Sequence, residues 1–200
     1  AIVNRNATTA GVMAGLPAWI ATNAPTGTAT ALARSDGATD GVPGGWNGTT
    51  VIAATDGTVR AFAQAQLDYA IQTGWTNGAQ IEGMKLLCGP VQRSVFSGFD
   101  GVAGTVFHEA KDKTIVGRAD VYASNFGDLM VLPERHIRQT SSRDREVFGV
   151  DFEYLELATL RSFQVMSLAK TGDAEKKMLL WEGTLKVLNE AALLTVADLS

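Results

Sequence analysis

The chain has 200 residues, 46% of them hydrophobic and 19% charged, enough for an ordinary domain with a packed core and too apolar for a disordered chain. Its net charge of -4 and single Cys88 exclude a general pull toward nucleic acid or anionic lipid, an intrachain disulfide and a cysteine-built zinc cage. No apolar run reaches the ~18 residues that span a bilayer as a helix, no signal-peptide pattern is visible, and one free cysteine sets a reducing compartment as the expectation.

The first 58 residues stand apart: 33 are Gly, Ala or Thr, and only Arg5, Arg34, Asp36, Asp40 and Asp56 are charged. Turn signals crowd the stretch at Asn23-Ala24-Pro25, Ser35-Asp36-Gly37, Gly41 to Gly45 and Asn47-Gly48, with Leu16, Trp19 and Ile20 as apolar anchors. So long a segment without periodicity predicts an arm or loop laid on another surface. The chain opens at Ala1 rather than Met, and processing or trimming is the expectation.

From Thr58 the spacing turns helical through Val59, Phe62, Ala63, Leu67, Ala70 and Ile71, with Thr58 as N-cap and Gly74 as the stop. Met84 to Cys88 reads as a strand, and Pro90, Val91, Val95 and Phe96 as a short helix ending before Gly98. Alternation from Ile115 to Ala123, a turn at Asn125 to Asp128 and the apolar run Leu129 to Leu132 predict a β-hairpin. Residues 177 to 189 fit either a helix face or a strand face. Gly183, costing a helix interior about 1 kcal/mol against Ala, tilts the reading toward strand. A short helix or extended tail follows at 190 to 198. There is no internal repeat.

Chemistry-bearing patterns fail one by one. His108-Glu109 opens like a zinc-protease helix, but position 112 is Asp where the second histidine is required. His136 is the only other histidine, and no Gly-x-Ser-x-Gly elbow accompanies either one. Walker and Gly-x-Gly-x-x-Gly spacings are absent, so the glycines at 98, 101 and 104 read as loop residues. Cys88 closes an apolar run and reads as a buried, inert thiol. Arg135, Arg138, Arg143 and Arg145 alternate with Glu134, Asp144 and Glu146, a mixed-charge surface suited to salt bridges between or within subunits. Asn6-Ala7-Thr8 and Asn47-Gly48-Thr49 fit the glycosylation pattern by chance. Asp100, Asp112, Asp120, Asp128, Asp151, Glu153 and Glu156 carry no partner geometry that would mark an acid-base pair. No catalytic, cofactor-binding or metal-binding residue is assigned, and no cofactor is expected.

Four stretches carry a family resemblance: Val121 to Gly127, Val131-Leu132-Pro133-Glu134-Arg135, Leu155 to Arg161 with Ser162-Phe163, and Leu168-Ala169-Lys170-Thr171-Gly172-Asp173-Ala174-Glu175-Lys176-Lys177 with Glu182-Gly183-Thr184-Leu185. Upstream, Gly15-Leu16-Pro17-Ala18-Trp19-Ile20-Ala21-Thr22-Asn23 looks like the segment after the family's long spine helix. On these residues the chain resembles the major capsid proteins of tailed bacteriophages and prophages with the HK97-type fold, the group that includes the phage SU10 capsid protein.

The resemblance implies an α+β, HK97-like subunit with peripheral (P) and axial (A) domains, lacking the N-terminal arm, the extended loop and most of the spine helix. On it, residues 1–58 are the end of the spine region and an extended P-domain segment, 59–160 mainly the A domain, and 161–200 the return to the P domain. It implies a structural, non-enzymatic role: hexamers and pentamers building the icosahedral head around double-stranded DNA, in a virion made in the bacterial host cytoplasm. Expected partners are copies of the chain, scaffolding, portal and decoration proteins, and packaged DNA through weak contacts; no membrane is involved. No crosslinking residue is carried over. Aromatic and arginine residues dominate interfaces, which makes Trp19, Trp46, Trp75, Arg135, Arg138 and Arg143 the candidate subunit contacts. The alternatives are an encapsulin-like compartment of the same fold and, in another class, a small α/β hydrolase or ligand-binding protein using His108 or His136.

Overall fold

The structure, a computed structural model, describes residues 11–23, 26–27, 34–35, 45–46, 51–52, 54–99, 121–137, 145–170 and 172–200. Four short strands come first: β1 (Thr26–Gly27) parallel to β2 (Arg34–Ser35), and β3 (Gly45–Trp46) antiparallel to β4 (Val51–Ile52). Then follow α1 (Gln64–Thr76), β5 (Lys85–Cys88), α2 (Pro90–Phe96), β6 (Val121–Ser124), β7 (Gly127–Pro133) and β8 (Val147–Val150). The chain ends with β9 (Leu155–Ser167), β10 (Lys177–Val187) and β11 (Leu194–Val196).

One five-stranded sheet, in the order β11-β8-β5-β7-β6, organises the body. β5 runs parallel to β7 and antiparallel to β8. Period-two alternation sends Leu86, Cys88, Val147 and Val131 into one core and Leu87, Phe148 and Val150 into another. The first core is closed by α1 and α2, through Leu67, Ala70, Ile71 and Phe96. The second is closed by Leu16 and Ile20 of the N-terminal segment, by Ile137 and by Leu193. The central strands are thus buried on both faces. At the outer edge, Tyr122 and Leu129 face the helices while their neighbours Val121 and Met130 face outward.

The helix of 58–74 is present but shifted. Arg60 pairs with Leu199 across an isolated bridge, its N–H donating to the Asp198 carbonyl (2.9 Å) and its carbonyl accepting from Ser200 (2.8 Å). That long-range pairing keeps the backbone extended past Thr58, so Ala63 is the N-cap. Alanine has no side-chain acceptor, and the Gln66 side chain supplies half a capping box by accepting from the Ala63 N–H (3.3 Å). Gly74 does not stop the helix. It lies buried inside it against Leu194 and Ala79. The helix ends two residues later at Thr76, and beyond it Gly78 takes φ +93°, its N–H bonds to the Trp75 carbonyl and the Ala79 N–H bonds to the Gly74 carbonyl, a Schellman closure.

The strand at 85–88 and the Pro90 helix are where the sequence puts them, and the hairpin of 121–133 is present with a two-residue turn at Asn125-Phe126. Residues 115–120 of that expected strand lie outside the described residues. Of the stretch at 177–189, Lys177–Val187 is strand, and the tail is a 3-10 turn, Glu190–Ala192, followed by β11.

The expectation of an arm laid on another surface fails for residues 11–23, since this chain's own core orders them. Leu16 and Ile20 are buried in the second core. The Glu190 carboxylate accepts from the Ala21 and Thr22 N–H groups (2.5 Å each) and the Thr22 hydroxyl (2.7 Å). Asn23, fully buried, donates to the Ala191 and Leu193 carbonyls (2.7 Å each) and accepts from Asn77 (2.7 Å).

Candidate assembly surface

β9 and β10 form a separate two-stranded antiparallel sheet that departs from the body. β9 has 13 residues and β10 has 11, and the register shifts twice, between Leu180 and Glu182 and between Glu182 and Gly183. Both extra residues sit on β9. One bulge would turn its side chains to the wrong face; the second restores them. β10 therefore keeps a single face along Val187, Leu185, Gly183, Trp181, Leu179 and Lys177, opposite Leu155, Leu157, Thr159, Phe163, Val165 and Ser167 of β9.

At its base this face belongs to the second core, through Leu155, Leu185 and Val187. Farther out it emerges into solvent, with Leu157 58%, Phe163 70%, Val165 67% and Leu179 65% exposed. Phe163 stacks on Trp181 with ring centroids 5.7 Å apart and planes at 22°. Gly183 makes the stack possible, because a Cβ there would overlap the indole ring. The reverse face holds two ion pairs, Lys186 with Glu156 (2.8 Å) and Arg161 with Glu182 (3.3 Å), beside Met166, Met178 and Leu180, and Leu160 stands exposed in the bulge. At the tip Lys170 pairs with Glu175 (3.2 Å), and the Leu168 N–H to Lys176 carbonyl bond extends the ladder.

Of the candidate contacts, Trp75 is exposed at the end of α1, its ring 5.3 Å from Phe126. Trp19 is half-buried as the C-cap of the Leu16–Ala18 turn. Arg135 is exposed in the turn after β7. Trp46 is described only as backbone in β3, and Arg138 and Arg143 lie outside the described residues. Among the described residues Trp75 sits at the end of α1 and Arg135 in the turn after β7. The hairpin face was missed from the sequence because its β9 residues, at 155, 157, 159, 163 and 165, follow spacings of two, two, four and two. The bulges hide the strand period.

The histidine alternative finds little geometry. His108 lies outside the described residues. His136 meets Glu134 (2.6 Å) on an exposed turn, and among the described residues no hydroxyl hydrogen-bonds to it. The His136 backbone N–H, and then its imidazole, hold the Glu134 carboxyl below its ordinary range. Burial pushes the Cys88 thiol up to about 11, with Arg93 offsetting part of the rise, which suits an inert core residue. No group of three or more His, Cys, Asp or Glu among the described residues is arranged to hold a metal ion, and no helix among them is long and apolar enough to cross a membrane.

The sequence matches the SU10 major capsid protein family over residues 2–200, nearly the whole chain. The chain belongs to the SU10 major capsid protein family. No curated protein matches it. Membership makes it a structural subunit of a phage head, resident in the virion and not an enzyme, and its mixed helices and sheets are those of an α+β capsid subunit. For such a subunit the surfaces that matter are those that meet other copies.

Proposed function

We propose that the chain builds an icosahedral head of HK97 type, assembling as hexamers and pentamers around double-stranded DNA after synthesis in the host cytoplasm. The observation that carries this is the family match across residues 2–200. In this reading 59–160 is mainly the A domain, while 1–58 and 161–200 belong to the P domain. Scaffolding, portal and decoration proteins are its further partners. Trp19, Trp46, Trp75, Arg135, Arg138 and Arg143 remain proposed contact residues. A subunit of net charge -4 offers few cations to phosphate, so contact with packaged DNA is weak and insensitive to sequence.

The test is the content and symmetry of particles purified from cells producing the phage. Nuclease-protected, genome-length DNA inside shells of hexamers and pentamers is the expected result. Shells that hold a protein cargo and no DNA would overturn the head reading in favour of a compartment. If Arg135→Ala and Arg138→Ala both left shell yield and stability unchanged, the arginines would be dropped as contacts.

A further inference from the structure

We infer that Asn77-Gly78 is a site of spontaneous chemical modification, at which loss of the Asn77 amide to give aspartate or isoaspartate unfastens the N-terminal segment from the end of the chain. The site is independent of the shell reading and adds to the subunit a chemical property of its own.

Sequence and exposure make the pair reactive. The chain holds two Asn-Gly pairs, Asn47-Gly48 and Asn77-Gly78, and the second lies among the described residues. Asparagine is a thermally labile residue, and a glycine after it lets the backbone nitrogen approach the side chain with no Cβ in the way. Both residues are exposed beyond the end of α1, and a Cβ on Gly78 would meet nothing within 4 Å, so water and hydroxide reach them. No other reagent is needed. The Gly78 nitrogen gives its proton to hydroxide and attacks Asn77 Cγ; the bond from Cγ to the amide nitrogen breaks, and ammonia leaves with a proton from water, closing a cyclic imide. Water then opens the ring. Attack at the side-chain carbonyl leaves aspartate, and attack at the main-chain carbonyl leaves isoaspartate, with nothing oxidised or reduced.

The fold restrains this reaction and makes its product costly. At ψ 6° the Gly78 nitrogen eclipses the Asn77 nitrogen and lies away from Cβ, and its N–H is held by the Trp75 carbonyl (3.1 Å). Ring closure therefore requires the helix end to open first. The Asn77 amide is itself engaged, donating to Asn23 Oδ1 (2.7 Å). Asn23 is fully buried, and the two protons of its own amide go to the Ala191 and Leu193 carbonyls (2.7 Å each), while its backbone carbonyl accepts from the Thr195 N–H of β11 (3.2 Å). After modification a carboxylate, which only accepts, stands where the Asn77 donor stood. Turning the Asn23 amide over would aim its oxygen at the two carbonyls instead. Either way a buried acceptor is left unmet, here beside a negative charge. Asn23 is the residue that joins the N-terminal segment to Ala191, Leu193 and Thr195, so the modified chain loosens at that junction.

The experiment uses the whole protein. It is incubated at pH 8, folded and in urea, and the peptide containing residue 77 is followed by mass spectrometry for conversion of amide to acid. Conversion about tenfold or more faster in urea is the expected result; no conversion in urea, or equal rates in both, would overturn the site. Asn77→Asp supplies the product directly. Its Thr195 amide should exchange hydrogen about tenfold or more faster than the parent's, with the Leu86 and Leu87 amides of β5 unchanged. Asn77→Ala, which removes the donor and adds no charge, should fall between the two. Parent-like exchange at Thr195 in Asn77→Asp would overturn the unfastening, and so would equal loss of protection at Leu86 and Leu87, the mark of general unfolding. Should Asn77→Asp not fold, Asn77→Ala decides alone: faster exchange confined to the Asn23 junction supports the unfastening, and parent-like exchange at Thr195 overturns it.

Discussion

Glu190 ties the two ends of the described chain together, and replacing it with Ala tests how the body is held. Its carboxylate accepts three hydrogen bonds from Ala21 and Thr22, two of them to backbone N–H groups at 2.5 Å. A hydrogen bond to a charged group contributes about 1.5–3 kcal/mol, and a buried donor left without a partner costs about 1–3 kcal/mol. Thr22 is exposed and regains water in the variant, whereas Ala21 is half-buried and does so only in part. The expected loss for Glu190→Ala is therefore about 2–4 kcal/mol, and about half that for Glu190→Gln, which keeps an acceptor oxygen. Urea unfolding should show a lower midpoint at unchanged slope. Hydrogen exchange should show protection lost at the Ala21 and Thr22 amides first, since Leu16, Ile20 and Asn23 still hold their part of the segment. A change under about 0.5 kcal/mol with both amides still protected would refute the assignment of Glu190 as the clasp.

Three further outcomes are expected. Gly149→Ala should cost about 1–3 kcal/mol by overpacking, because a Cβ there falls 2.5 Å from Leu194 Cγ and 2.9 Å from Met84 Sδ; a melting temperature equal to the parent's would contradict the packing of β8 against β11. Cys88 should stay unreactive toward a thiol reagent at pH 8 in the native protein and react at full stoichiometry in urea, given its burial and a pKa pushed up to about 11; rapid native labelling would show the core to be open. Stability should fall as pH rises from 10 to 12. Burial, and then the hydrogen bond to Asp68, raise Tyr122 from 10 to about 12, so across that window the unfolded chain loses a proton that the folded one keeps. A two-unit gap amounts to at most ~2.7 kcal/mol. Tyr122→Phe should flatten that part of the alkaline slope, and an unaltered slope would contradict it.

Local signals read correctly wherever one element's own residues decide its shape. Pro90 behind Gly89 starts α2, and the alternation around Asn125-Phe126 makes the β6–β7 turn. Gly183 does mark a strand, for a reason invisible in the sequence: it is the floor under Trp181. The misreadings arise where distant segments intervene. Thr58 loses the cap because Arg60 is drawn into pairing with Leu199. Residues 11–23 are ordered by Glu190 and by the second core, which no spacing near Trp19 could announce. β9 escaped notice because two bulges break its period, and with it went the hairpin face. Residue type selected Trp and Arg as candidate contacts, of which Trp75 and Arg135 are exposed; the exposed Leu157, Phe163, Val165 and Leu179 carried no such signal.

The central claim is that this chain is a shell-building subunit, and the most direct measurement is electron microscopy with light-scattering mass on the whole gene product expressed alone. Closed shells or capsomer rings, with masses at integer multiples of the subunit, are the predicted result. A species that stays a small, stable oligomer at every concentration, and still does so with the neighbouring phage proteins present, would contradict it.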